Sequence, residues 1–155
     1  MSRGAARFEE AARELGLELE IRRFPEGTKT APDAARAVGS RVGQIVKSLV
    51  FMADGRPVLA LTSGANRADP ARLAAFLGAG EVRRATADEA RVATGFTIGG
   101  TPPFGFPRPL RAVMDRDLLT YEEVWAAAGT PESVFRITPE ALRRAAGAEV
   151  ADFGE

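Results

Sequence analysis

Between residues 5 and 15 the apolar positions Phe8, Ala11, Ala12 and Leu15 recur at the spacing of one helix face, and Gly16 stands where such a helix would stop. The pattern then changes period. Leu17, Leu19 and Ile21 alternate with Glu18, Glu20 and Arg22, which predicts a strand with one solvated face ending near Phe24-Pro25. After a loop over 26–29, Thr30-Ala31-Pro32-Asp33 offers a capping hydroxyl, an early proline and an acidic residue in the order that opens a helix, closed in turn by Gly39. Residues 45–53 form the most apolar β-branched run, and Asp54-Gly55 joins it to a second run over 57–62 as a β-hairpin. Asp69-Pro70 opens a helix carrying Leu73, Phe76 and Leu77 with Gly78 at its end. A short strand over 81–85 and a capping box from Thr86 to Glu89 follow.

Residues 96–109 read differently. Gly99, Gly100 and Gly105 alternate with Pro102, Pro103, Pro107 and Pro109, a mixture that no helix or central strand tolerates, so this is a long, stiff loop. A strand is predicted over 110–115. Over 120–128 the signals conflict, because Thr120 and Glu123 suggest a helix cap while Val124 and Trp125 favour a strand; the strand is preferred. Gly129-Thr130-Pro131 turns the chain into 134–137, Thr138-Pro139-Glu140 caps a last helix, and 149–152 forms a short edge strand. Alternating strands and helices in one chain of 155 residues predict a single α/β domain over 1–155.

Composition narrows the chemistry. Lysine and arginine total 21 and aspartate and glutamate total 21, so no global positive field exists and any nucleic-acid contact must be local. Cysteine and histidine are both absent, which removes disulfides, Cys/His zinc sites, the Ser-His-Asp triad and Cys-His pairs. No acidic cluster asks for a metal, and nothing asks for a cofactor. No apolar stretch reaches the length of a membrane span, so a cytoplasmic location without membrane contact is expected. Lysine occurs only at 29 and 47 in a chain that otherwise uses arginine.

Strict alternation places Lys47 on the same strand face as Ile45, Leu49 and Phe51. An edge lysine that blocks aggregation is the bland explanation; a cation projecting into a cleft, to grip a phosphate, a carboxylate or a developing oxyanion, is the functional one. Around Thr101-Pro102-Pro103-Phe104 the glycines permit close backbone approach and the prolines restrict the alternatives, so the amides of Gly99, Gly100 and Thr101 could form an anion-binding concavity. The spacing matches neither a P-loop nor a dinucleotide fingerprint. Thr62-Ser63-Gly64-Ala65-Asn66 could place hydroxyls and an amide at a pocket rim or be only a turn, and Asp115 could orient an amine or simply cap. Arg22-Arg23, Arg83-Arg84, Arg108, Arg111 and Arg143-Arg144 could contact phosphates or form solvated faces with structural ion pairs.

Residues 44–51 (Gln-Ile-Val-Lys-Ser-Leu-Val-Phe), Thr62 to Gly64, Gly95 and the run from Gly99 to Gly105 together resemble the YbaK / prolyl-tRNA synthetase-associated editing domain family, from about Leu17 to the C-terminus. The resemblance implies a mixed α/β fold with a barrel-like central β-sheet and surrounding short helices. It also implies hydrolysis, in trans, of amino acids wrongly esterified to tRNA, typically tRNA for proline. Lys47 matches the family's strand lysine and Gly99 to Pro103 its Gly-x-x-x-Pro loop. The expected site is a catalytic Lys47 with Thr30, Thr62, Ser63, Gly64, Gly99, Gly100, Thr101, Pro102, Pro103 and Asp115 around the substrate, and no metal. The expected partners are the 3′ acceptor end of a mischarged tRNA and an aminoacyl-tRNA synthetase, with the protein a monomer or homodimer. Phe24, Ala127 and Phe135 stand where the cysteine-clearing branch has polar side chains, which favours a small amino acid such as alanine over cysteine. The rival reading is a non-catalytic module that binds a tRNA acceptor end or a synthetase; a third is a small-molecule-binding protein unrelated to tRNA.

Overall fold

The computed structural model describes residues 3–28 and 30–155. Lys29, singled out above as one of two lysines, lies outside the described residues with Met1 and Ser2. Among the described residues five helices, α1 (Arg3–Glu14), α2 (Ala31–Val38), α3 (Pro70–Leu77), α4 (Ala87–Thr94) and α5 (Pro139–Ala146), interleave with eight strands. The strands are β1 (Ile21–Arg23), β2 (Val46–Ala53), β3 (Arg56–Ser63), β4 (Val82–Arg84), β5 (Arg111–Asp115), β6 (Val124–Ala127), β7 (Ser133–Ile137) and β8 (Ala148–Ala151). This is the mixed α/β architecture expected.

The local signals act where they were read. Thr30, Asp69, Thr86 and Thr138 each accept a main-chain N–H in the first turn of the helix they precede, and Gly39, Gly78, Gly95 and Gly147 end those helices with left-handed backbone. Asp54-Gly55 closes the β2–β3 hairpin, with both residues at positive φ. The ambiguous segment near residue 124 is a strand, and the Gly/Pro-rich loop from 96 to 109 contains neither helix nor strand. One expectation needs correcting. The alternating segment begins pairing only at Ile21, opposite Phe135, although β7 runs on to Ile137; Leu17 and Leu19 instead pack half-buried against the core, and Glu20 reaches Arg22 and Arg136 through its side chain. Two short 3-10 turns, Val42–Gln44 and Arg116–Thr120, carry no strong sequence signal.

The strands form two sheets, of order β4-β2-β3-β5-β8 and β1-β7-β6, so the centre is not one closed barrel. An isolated parallel bridge between Ile45 and Trp125 joins them. The larger sheet is buried on both faces. Val46, Val50, Leu59, Leu61 and Met114 point toward the smaller sheet, α1 and α5, where Phe8, Phe135 and Leu142 complete the main core. Phe51, Val58, Ala60 and Val113 point the other way, onto Leu73 of α3 and Phe153. Phe8 has no exposure, and its ring lies 5.2 Å from Phe104 and 4.8 Å from Phe135. Truncating such a residue to alanine costs about 3–5 kcal/mol. The triad also pins Phe104, and with it the Gly-Pro loop, to α1 and β7.

Candidate active site

The two sheets part just beyond the Ile45–Trp125 bridge, and the gap is the site. β4 pairs only with Phe51 to Ala53 of β2, leaving the first half of β2 as an open edge toward β6. In the β2–β3 hairpin the odd-numbered residues of β2 turn their main-chain groups toward β3, as the Gly64 amide donating to the Ile45 carbonyl shows. The even-numbered residues face the opposite edge. There Val50 accepts from the Ala85 amide, and the amide and carbonyl of Ser48 look into the gap. The result is a cavity of about 390 Å³ walled by β2, β6, α2, Arg84-Ala85 and the start of the Gly-Pro loop. Two other hollows, of about 550 and 720 Å³, contain neither Lys47 nor Gly99.

Lys47 lines this cavity, and so do Gly99 and Thr101: the strand cation and the loop share one hollow. Lys47 lies on the Leu49 and Phe51 face of β2, as alternation required, whereas Ile45 belongs to a separate cluster with Trp125. Its ammonium donates to the Asn66 carbonyl. Burial and the neighbouring Arg84 guanidinium lower the Lys47 pKa; Asp115 opposes them, and Arg67 adds a smaller downward push. Arg84 stacks over the Phe51 ring at 5.6 Å and enters no ion pair among the described residues, so two cations mark one side of the cavity. Arg83 beside it is held by both oxygens of Glu89. Of the Arg83-Arg84 pair, only Arg84 is available to a ligand.

The loop is already internally bonded. Thr97 O accepts from the Gly100 amide at 3.1 Å and from the Thr101 hydroxyl at 3.1 Å, so the Gly100 amide is not free for an anion. Gly100 is glycine for a steric reason: a Cβ there would lie 2.7 Å from the Thr130 carbonyl carbon. Pro102 is buried and Pro103 faces another hollow; neither lines the cavity.

The remaining candidates divide. Thr30 and Gly64 line the cavity, but the Thr30 hydroxyl is engaged as the α2 cap, accepting from Asp33. Thr62 and Ser63 are fully buried, their hydroxyls donating to Ala60 O and Gly43 O. Asp115, 1% exposed, accepts from the Ser63 amide, the Asn66 side chain and the Asp117 amide, a framework role behind Lys47. Of the three residues set against the cysteine-clearing branch, Ala127 lines the cavity, while Phe24 and Phe135 pack in the cores. Sequence reasoning gave no separate weight to Ser48, whose buried hydroxyl has no partner among the described residues. A serine on the inward face of an otherwise valine-flanked strand was the available signal.

Among the described residues no carboxylate lines the cavity. Beside Lys47, Arg84 and a few threonine, serine, glycine and proline residues, its walls are alanine, isoleucine, leucine, valine and Trp125. Such a space suits a small, largely apolar group attached to something anionic.

A solved structure of a proposed trans-editing enzyme for prolyl tRNA synthetase superposes with a TM-score of 0.94 at 47% identity, covering 100% of this chain and 99% of that one. The solved protein APE2540 follows at a TM-score of 0.89 and 30% identity, covering 96% and 99%. YwhH of Bacillus subtilis is 28% identical over 81% of this chain and 80% of its own. A proline–tRNA ligase of Streptococcus thermophilus is 31% identical over 72% of this chain, but the match spans only 18% of that much longer enzyme. The model of the aminoacyl-tRNA editing domain matches residues 25–145, taking in both the Lys47 strand and the Gly-Pro loop, and the chain therefore belongs to that family.

Proposed function

We propose that the protein is a free-standing deacylase that clears tRNA for proline carrying a small, wrongly attached amino acid, alanine first. The observation that carries this reading is the shared cavity, lined by Lys47, Arg84 and the start of the Gly-Pro loop and otherwise mostly by apolar residues. The likeness to a chain described as trans-editing for prolyl tRNA synthetase supports the choice of tRNA.

The reaction asks little of side chains. An aminoacyl ester is an activated acyl group; water adds to the carbonyl carbon, the bond to the ribose oxygen breaks, and that oxygen leaves with a proton. The site must hold the ester in place and stabilise negative charge on its carbonyl oxygen, and the ribose hydroxyl or the amine can relay protons. Lys47 meets the negative charge, either on the terminal adenosine's phosphate or at the reacting end. Apolar walls suit the alanine methyl, though an apolar pocket alone separates neighbours by only about 1–3 kcal/mol per methylene.

The test is multiple-turnover hydrolysis of tRNA for proline charged with alanine, cysteine or proline, by wild type, Lys47→Ala and Lys47→Arg. Turnover of the alanyl ester that collapses in Lys47→Ala supports the reading. A rise in KM alone assigns Lys47 to phosphate binding, and a fall in kcat assigns it to the reacting end. Binding of tRNA without turnover sinks the deacylase reading in favour of a binding module.

A further inference from the structure

A nucleic-acid strand whose end enters the cavity must leave it on one side, and the arginines show which. Most are held by carboxylates, as Arg83 is by Glu89 and Arg136 by Glu123. Of those without such a partner among the described residues, Arg13 lies on α1, and Arg3, Arg7 and Arg108 line the two other hollows. Arg56 stands opposite Ala53, at the far end of the β2–β3 hairpin from Lys47. Three remain near the cavity. Arg84 lines it, Arg41 precedes the Val42–Gln44 turn beside α2, and Arg67 follows the end of β3.

Arg67 hangs from a fixed backbone. Its amide donates to the Glu155 carbonyl at 3.0 Å and its carbonyl accepts from the Glu155 amide at 2.9 Å, next to the Ala68–Gly154 bridge. The residue before it, Asn66, gives its carbonyl to the Lys47 ammonium and its side chain to Asp115 and Asp117. The Arg67 side chain itself is exposed and enters no ion pair among the described residues. Burial, then Arg84, lower the Lys47 pKa, and Arg67 adds to that push, so the charge of Arg67 reaches the ammonium from outside the cavity. The cations form a graded series. Arg84 and Lys47 line the cavity, and Arg67 stands beyond it, at the end of the hairpin toward which the Asn66 carbonyl draws Lys47.

Resting on the deacylase reading above, we infer that Arg67 binds a phosphate of the acceptor strand beyond the terminal nucleotide, so that the strand leaves the cavity over the end of β3 and not past α2. A guanidinium offers a planar fork that matches two phosphate oxygens at once. A contact of this kind sets the register of the strand, and with it the depth to which the ester enters, and says nothing about the amino acid.

Two alanine esters separate this contact from the chemistry: alanyl-tRNA, and alanine esterified to the ribose of adenosine 5′-monophosphate, which has the terminal phosphate and no strand beyond it. Arg67→Ala is expected to lower kcat/KM for alanyl-tRNA about fivefold or more at low salt, through KM, and to flatten its salt dependence by about one phosphate contact. The nucleotide ester should lose nothing. Arg67→Lys should recover part of the alanyl-tRNA loss, and Arg56→Ala, which removes the same charge at the far end of the hairpin, should show none. Wild-type kinetics in Arg67→Ala overturn the proposal, and so does an equal loss on both esters, which would mean that Arg67 acts through Lys47. A loss in Arg41→Ala with none in Arg67→Ala sends the strand past α2 and also overturns it. If the nucleotide ester turns over too slowly to compare, the salt slope on alanyl-tRNA decides, and an unchanged slope in Arg67→Ala overturns the proposal. Absence of wild-type turnover on alanyl-tRNA removes the deacylase reading itself and this proposal with it.

Discussion

The ammonium of Lys47 donates to the main-chain carbonyl of Asn66, and the side chain of Asn66 donates to Asp115 at 3.0 Å and to Asp117 at 2.7 Å. The cation is thus held from behind by a turn that two carboxylates lock. Asp115 in turn accepts from the Ser63 amide, where β3 ends. An ammonium has three donors, so two remain beyond this bond. The lysine is aimed by the end of the neighbouring strand as well as by its own.

Asn66 should therefore act on the site without touching substrate. Asn66→Ala removes two hydrogen bonds, one of them to a carboxylate that is almost wholly buried, and is expected to cost about 1–3 kcal/mol in urea unfolding. Asn66→Asp should cost more, because it sets a third carboxylate against Asp115 and Asp117. Both should slow alanyl-tRNA deacylation with Lys47 still present. Wild-type rates in Asn66→Asp would show that the turn does not position the lysine.

Gly100 gives a steric test of the loop. Its backbone is not left-handed, yet a Cβ would sit 2.7 and 2.8 Å from the Thr130 carbonyl carbon and Cα, main-chain atoms that cannot turn aside. Gly100→Ala is expected to lower stability by about 1–3 kcal/mol and to displace the Gly99–Thr101 segment from the cavity wall. Thermal unfolding and deacylation should fall together. A fully stable Gly100→Ala would mean that the loop does not rest on Thr130.

Most elements were legible because their signals are local: a hydroxyl at the cap, glycine at the stop, Asp-Gly at the hairpin. Lys47 was legible too, as a cation at an apolar position. What the chain did not disclose depends on partners distant in sequence. Whether Leu17 to Glu20 form a strand depends on whether the chain stays beside β7, which continues past their neighbour Ile21, and whether Arg83 or Arg84 is free depends on Glu89. The Gly100 amide looked available until Thr97 O accepted it. Ser48 looked like filler, yet no described residue pairs with its buried hydroxyl.

Helix α4, which leads into the Gly-Pro loop, has a capping box with an acid-sensitive member. Arg83 first, then the Thr86 amide, hold the Glu89 carboxyl at about 2, against an ordinary 4.5. A carboxylate with a lowered folded pKa contributes stability that is whole above the ordinary value and is lost as pH falls through the lowered one. Glu89→Gln should therefore melt below wild type at neutral pH, and the gap should close as pH falls from 4.5 to about 2. A gap that stays constant across that window would exclude the Arg83–Glu89 pair as its source.

Lys47 gives the converse case. Burial, then Arg84, lower its pKa from 10.5, so between the lowered value and 10.5 the unfolded chain binds more protons than the native one. Stability then rises with pH across that window. At neutral pH the folded state carries the strain of a partly buried cation beside a guanidinium. In Lys47→Met this dependence disappears, so the wild-type melting temperature should gain on that of Lys47→Met as pH rises toward 10.5. Deacylation should move the other way. If the site needs the ammonium, the lysine-dependent rate falls as pH climbs through the lowered pKa, before an ordinary lysine would lose its proton. Spontaneous ester hydrolysis, which also quickens with pH, is subtracted with Lys47→Met as the blank. Opposite pH slopes of stability and lysine-dependent rate are what one strained, working cation produces, and parallel slopes would separate the stability effect from the catalytic one.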